Sequence, residues 1–310
     1  MNRISTSSTY LTVINNLNMA QARQIKASSE VSSQKKGSDL KAYARDAETL
    51  TAMRSVQTRV EGYLNQSAVL TDRFNSQDTA LNQVAGAADG ARQAIEDALA
   101  SGSADTLMQE LGNHFGDAVA GLNTKSQGKF LFSGGQLNTM PVTATAMTDL
   151  TAGPPIATLF KNDQFSPINR LDETSTIQGG FLADGLGTPL FQAFQAVQAG
   201  NDNPAIGPFT GKLTQTQITF LQSQLAGFDT AHNTLVNQAA INGSRQKRID
   251  DNQADLTSRK TTLENMIGTV TDVNPAEAIS RLQQAGVAVQ ASAQVFSSLQ
   301  ASSLLNYLRF

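Results

Sequence analysis

Apolar and small residues recur in steps of three and four along both flanks of the chain. From Leu50 they run Leu50, Met53, Val60, Leu64, Ser67, Phe74, Leu81, Ala85, Ala88, Ile95 and Leu99, with polar interruptions at Gln57, Thr71, Asp78 and Arg92. A stripe that recurs every ~3.5 residues keeps one side of a helix turned toward a partner helix. The pattern predicts one helix of roughly 75 Å, at ~1.5 Å per residue. Leu107, Leu111, Phe115, Ala118 and Leu122, entered through Asp105, predict a shorter helix packed back against it. On the C-terminal flank Leu213, Ile218, Leu221, Leu225, Phe228, Leu235, Ile249, Leu256, Leu263, Ile267 and Val270 predict a second long helix, with a break expected near Gly243. Asn274-Pro275 marks a restart, because proline suits the first helical turn. Ile279, Leu282, Gly286, Val289, Ala293, Phe296 and Leu299 then continue the stepping. The first segment does likewise with Tyr10, Ile14, Leu17, Gln21, Ile25, Ser28 and Val31.

Proline placement separates these flanks from the middle. Seven of the eight prolines lie between Pro141 and Pro208, and the eighth is Pro275. The middle also carries Gly134-Gly135, Gly179-Gly180 and Phe130, Phe132, Phe160, Phe165, Phe181, Phe191, Phe194 and Phe209. Turn residues mixed with aromatics predict short strands and loops around a small core of their own. The expected fold class is therefore mainly α: a long antiparallel helical coiled-coil rod built from both chain ends, with a small β-rich inserted domain. The expected division is a terminal helical domain at 1–45 and 272–310, a helical rod at 46–130 and 212–271, and the insert at 131–211.

The apolar stripes are narrow, so each helix buries little alone and needs neighbours from other elements or other chains. The remaining faces hold Gln, Asn, Ser and Thr in place of charge, which suits dense packing against identical copies. The residues expected to carry a subunit interface are Tyr10, Val13, Ile14, Leu17, Val289, Phe296, Leu299, Leu304, Leu305, Tyr307 and Leu308. The alternative is that the same stripe closes an intramolecular pair.

Composition narrows the chemistry. The chain has 310 residues, enough for a sizeable core, with 16% charged residues and a net charge of −3. Duplex nucleic-acid binding, which needs a basic face, is disfavoured. There is no cysteine, and His114 and His232 are the only histidines, so no thiolate nucleophile, disulfide or Cys/His zinc site is available. No apolar run approaches the ~18 residues of a membrane span. The segment from Met1 to Ser8 has neither an apolar signal core nor a small-residue cleavage site, so a Sec leader is not expected.

No catalytic set converges. His114 sits beside Phe115 in a seam and reads as a packed histidine; His232, among Asp229, Asn233 and Gln238, reads as part of a solvated face. Phe132-Ser133-Gly134 lacks the glycine two residues before the serine that a nucleophile elbow requires. Asp250-Asp251 and Asp172-Glu173 are adjacent in sequence, and neighbouring helical positions point in different directions. Arg245, Lys247 and Arg248 precede Asp250 and Asp251 and read as surface pairing. An enzyme, a cofactor or a metal is not expected.

Three stretches resemble the flagellin superfamily, and within it the proteins of the hook–filament junction. The first is Arg3-Ile4-Ser5-Thr6-Ser7, followed by Tyr10 and the helix through Asn16, Leu17 and Ala20 to Val31-Ser32-Ser33. The second is Gly128-Lys129-Phe130-Leu131-Phe132-Ser133-Gly134, followed by Thr139 and Pro141. The third runs from Asp272 through Ala276-Glu277-Ala278-Ile279, Leu282, Val289-Gln290-Ala291-Ser292 and Phe296 to Ser303-Leu304-Leu305-Asn306-Tyr307-Leu308. After its first helix the superfamily shows a Leu-Ser-Ser/Thr-Gly run and an Asp-Asp pair. Here the stretch reads Val31-Ser32-Ser33-Gln34-Lys35-Lys36-Gly37-Ser38-Asp39-Leu40.

The resemblance implies a structural subunit of the bacterial flagellum, exported without a cleaved leader and placed outside the cell. It would form a ring of copies joining hook to filament. The implied partners are an adjacent hook-associated protein, flagellin, further copies of the chain and an export chaperone, with neither nucleic acid nor membrane. Two other readings remain at this point: a bulk filament flagellin, and a secreted coiled-coil module that binds a ligand through its insert.

Overall fold

The computed structural model describes residues 2–153 and 155–307, with side chains described from Ser8 to Ala301 apart from Pro154. Six helices dominate: α1 Asn2–Ser33, α2 Ala47–Ser101, α3 Leu107–Leu122, α4 Ala183–Asp202, α5 Gln215–Thr271 and α6 Pro275–Tyr307. Two antiparallel hairpins complete the regular structure, β1 Lys125–Ser126 with β2 Lys129–Phe130, and β3 Ile168–Arg170 with β4 Thr176–Gln178. The chain is mainly α with a small β-containing region. Residues 1–59 with 258–310 form one compact unit, and residues 60–257 form the other.

In the 60–257 unit, α2 and α5 run antiparallel. His232 Nδ1 lies 3.1 Å from Ala85 O, Asn242 Nδ2 donates to Phe74 O at 3.0 Å, and Gln253 Nε2 donates to Thr71 Oγ1 at 3.2 Å, so numbers rise on one helix as they fall on the other. Val60, Ser67, Phe74, Leu81, Ala88 and Ile95 are all buried, as are Leu221, Phe228, Leu235, Asn242, Ile249 and Leu256. Both sets advance by seven, the repeat that keeps one seam facing a partner. The break expected near Gly243 does not occur, because α5 runs unbroken from Gln215 to Thr271. A lone glycine costs a helix only ~1 kcal/mol, which the flanking seam of Leu235, Asn242 and Ile249 offsets. A capping box starts α5: Gln217 N–H donates to Thr214 Oγ1 at 3.3 Å, and Thr214 N–H donates to Gln217 Oε1 at 2.9 Å.

Among the described residues, the 131–211 segment has no separate core. Phe132, Phe160, Leu190, Phe191 and Phe194 share one apolar cluster with Leu81 and Ile95 of α2, Leu111 and Phe115 of α3, and Leu221 and Phe228 of α5. A chain of rings joins them: Phe160–Phe191 at 5.1 Å, Phe191–Phe115 at 5.1 Å, Phe115–Phe194 at 5.4 Å and Phe194–Phe228 at 5.1 Å between centroids. Among the described residues the strands of the segment amount to one hairpin of two three-residue strands, while α4 takes 20 residues. Leu190, Phe191, Phe194 and Val197 step by one, three and three, so the aromatics belong to a helical face that packs on α3 and α5. A second, smaller cluster of Leu70, Phe74, Leu171, Ile177 and Ile249 seats the β3–β4 hairpin.

The two histidines and the serine near the glycine pair have structural roles. The His114 ring lies against Gly90, where any Cβ would collide with it. His232 Nδ1 lies 3.1 Å from Ala85 O and donates to that carbonyl. Ser133 is buried, and its hydroxyl donates to Phe130 O at 3.4 Å. The carboxylate of Asp172 accepts from Thr174 N–H and Ser175 N–H, both at 2.7 Å, and from Asn252 Nδ2 at 2.6 Å, which fixes the β3–β4 turn.

In the other unit, α1 and α6 pair antiparallel: Tyr10 meets Phe296, and Glu30 meets Arg281. Residues 34–46, where the sequence departs from the superfamily's pattern, form a compact tie. Lys36 N–H donates to Thr271 O at 2.8 Å, and Val273 N–H donates to Gln34 O at 3.0 Å. Tyr43, in the 3-10 turn Leu40–Tyr43, is buried and its hydroxyl donates to Gly37 O at 2.7 Å. Gln34, directly after α1, has φ of +56°, the left-handed conformation that glycine adopts at helix ends. A side chain there is strained. Gln34→Gly is therefore expected to stabilise this unit by about 0.5–1 kcal/mol, partly offset by the freer unfolded chain. Urea unfolding followed through α1 checks it, and an unchanged midpoint would contradict the strain.

Candidate assembly surface

The α1–α6 pair is closed by small residues. Ala20 and Ala27 of α1 and Ala278 and Ala285 of α6 are buried, each pair seven residues apart. Alanine seams let helix axes approach to the short end of the usual 8–10 Å. Glu30 is also buried in this seam, with its carboxylate 3.3 Å from Arg281 Nη1 and 3.9 Å from Lys26 Nζ. A buried carboxylate needs such a partner, so the ion pair also fixes how far one helix can slide along the other. Beyond it, Tyr10 and Phe296 pack with ring centroids 5.3 Å apart.

The residues expected to form a subunit interface divide in three. Tyr10, Val13, Ile14, Leu17, Val289, Phe296 and Leu299 have described side chains, and all but Tyr10 are partly buried; Tyr10 is 38% exposed against Phe296. The geometry turns Tyr10 and Phe296 toward each other within one chain, as the intramolecular reading of the stripe required. Leu304, Leu305 and Tyr307 belong to α6, but their side chains lie outside the described residues, and Leu308 lies outside them altogether.

A second set of large apolar side chains points away from the seam. Leu11 is 58% exposed, Met19 51% and Ile25 71% on α1; Ile279 is 46% exposed, Val287 65% and Val295 49% on α6. At ~100° per residue, Leu11 and Ile25 lie on the side of α1 opposite Ala20 and Ala27, and Val287 lies opposite Ala278 and Ala285. Six such side chains on two helices leave, on the order of 1 kcal/mol each, a burial free energy that this unit alone does not use. None of the six is among the residues expected at the interface, and Ile25, expected in the inward stripe, faces out because Ala20 and Ala27 take the inward face.

The anchor between the end of α1 and the end of α5 is electrostatic. Lys35 Nζ lies 2.6 Å from Asp272 Oδ1, and the Thr271 hydroxyl donates to the same oxygen at 2.9 Å. The Lys35 hydrogen bond, with help from Thr271, holds the Asp272 carboxyl below the usual carboxylate range. A carboxyl with a depressed folded value stabilises above its unfolded pKa of ~3.9 and loses that stabilisation as the pH falls through the folded value. Both side chains are half exposed, so solvent screens the pair and the effect is small. The protection of the Lys36 amide, taken relative to its intrinsic exchange rate at each pH, is expected to fall below about pH 4 and to lose that acid dependence in Asp272→Asn. Equal acid sensitivity in both proteins would remove Asp272 as the cause.

Among the described residues no three His, Asp or Glu side chains are grouped to hold a metal, and no helix is long and apolar enough to cross a membrane.

Comparison with known proteins bears on the same elements. Residues 225–308 match the family described as the bacterial flagellin C-terminal helical region. That span holds most of α5 and α6 and every C-terminal residue of the expected interface, Val289 to Leu308. No curated protein matches the chain. A solved structure of a protein assigned as flagellar hook-associated, from Vibrio parahaemolyticus, superposes with a TM-score of 0.59 at 15% identity, covering 73% of this chain and 97% of that one. FlgL from Bacillus cereus superposes with a TM-score of 0.53 at 14% identity, covering 71% and 99%. The chain thus resembles the flagellin superfamily in the sequence of its C-terminal helices and a flagellar hook-associated protein in its fold.

Proposed function

We propose that this chain is a structural subunit of the bacterial flagellum that forms the junction layer between hook and filament, of the hook-associated protein 3 type, on which flagellin polymerises. The observation that carries the reading is the α1–α6 unit. Its inner seam is filled by alanines, while Leu11, Met19, Ile25, Ile279, Val287 and Val295 are left outside. Apolar rows on both helices of one pair suit a layer in which each copy is surrounded by others and by the subunits above and below. The match at 225–308 and the likeness in fold to a hook-associated protein support the flagellar setting.

The partners in this reading are an adjacent hook-associated protein, flagellin and copies of the chain in a ring, with an export chaperone holding the apolar ends before assembly. The chain works outside the cell, and its role is mechanical. Gold-labelled antibody against residues 131–211 should decorate one band at the distal end of the hook. Decoration along whole filaments would make the chain the bulk filament subunit instead. Absence of label from flagella would reject both.

A further inference from the structure

Arg73 of α2 is half-buried and makes no ion pair or hydrogen bond among the described residues. Arg73 lines a cavity of about 180 Å³ in the 60–257 unit, together with Ser126, Lys129 and Phe130 of the β1–β2 hairpin. One water takes ~30 Å³ of liquid volume, so a group of several heavy atoms fits. Burial without an opposing carboxylate lowers the Arg73 pKa. Gln77, one turn further along α2, is fully buried with both amide atoms unpartnered. Arg73 and Gln77 converge on Gly180: a Cβ built there would lie 3.7 Å from Arg73 Nη2 and 3.5 Å from Gln77 Nε2. Arg245 approaches the same glycine from α5, with Nη1 3.5 Å from Gly180 O and the guanidinium 4.8 Å from the Phe181 ring centroid. Lys125 Nζ stands 4.4 Å from the centre of the Phe130 ring at the hairpin.

A buried cation without a counter-charge is costly, and a buried amide without partners adds to the cost. Arg73 and Gln77 stand side by side at Gly180 and lack the partners that Arg245 finds in Gly180 O and the Phe181 ring, so Arg73 has room for an acceptor that the chain does not supply. We infer that the cavity beside the β1–β2 hairpin binds an oxyanion, a carboxylate or a phosphate, with Arg73 as its main ligand and Lys129 closing the open side. Arginine offers paired donors that match two oxygens of such a group, and the exposed Lys129 adds a point charge. The oxyanion is either free in solution or an acidic side chain of a second copy, and the chemistry is shared.

The full-length protein should show a saturable rise in its thermal midpoint with inorganic phosphate, about 5 °C at 100 times Kd, over sodium chloride at equal ionic strength. In Arg73→Gln the rise should be lost. In Lys129→Gln, a surface change that leaves the fold intact, it should need about tenfold more phosphate. Equal responses in wild type and both variants, or none in wild type, would overturn the site. Sedimentation separates the two sources. A self-associated species that phosphate dissociates identifies a carboxylate of a second copy, and a monomer at all concentrations identifies the free anion.

Discussion

Cells in which Ile25→Glu is combined with Val287→Glu are expected to build hooks and stop there, shedding unpolymerised flagellin into the medium. Both side chains are mostly exposed, on the sides of α1 and α6 turned away from the alanine seam. The charges therefore cost the isolated protein almost nothing, and its helicity and unfolding midpoint should match the wild type. In an assembled layer the same positions are covered, where an unpaired carboxylate costs several kcal/mol at each of many identical contacts. Electron microscopy of the cells and flagellin blots of the medium read the result. Normal filaments would mean that the outward stripe is not an assembly surface. Ala27→Leu is the contrasting variant. Ala27 is 5% exposed inside the seam, so a larger side chain forces α1 from α6 and lowers stability in the isolated protein.

Phe191→Ala has the largest expected effect on stability. Its ring is fully buried and lies 5.1 Å from both Phe115 and Phe160, linking α4 to α3 and to the segment before it. Deleting a buried phenylalanine leaves a cavity and costs about 3–5 kcal/mol. In a unit of this size that lowers the thermal midpoint by about 10 °C. Urea unfolding of the full chain should show the stability of residues 60–257 lowered by about 3–5 kcal/mol, with the α1–α6 pair unaffected. A loss below ~1 kcal/mol would mean that the 131–211 segment does not share the core described above.

The reading of the sequence succeeded where periodicity was long. The seven-residue repeats from Val60 to Ile95 and from Leu221 to Leu256 gave α2 and α5, and Asn274-Pro275 marked the start of α6, where Asn274 Oδ1 accepts from Ala276 N–H at 3.0 Å. It failed where a single strong residue type was weighed without its period. Phe191 and Phe194 were read as strand aromatics because prolines surround them, yet α4 carries Pro189 within it and buries both rings on one face. Gly243 was read as a break, although the seam around it decides the outcome. Within the expected interface, the pairing of Tyr10 with Phe296 was open to the sequence, since both stripes are visible. The inward role of Ala20, Ala27, Ala278 and Ala285 was not, because alanine signals neither burial nor exposure until a partner helix is placed beside it. Arg73 and Gln77 were invisible for the same reason: their lack of partners depends on residues 50 to 170 positions away.

The most direct test of the account is a strain lacking this chain, imaged for hooks and filaments while flagellin is measured in the medium. A junction subunit predicts intact hooks, no filaments and abundant unpolymerised flagellin outside the cell. Normal filaments in that strain would contradict it.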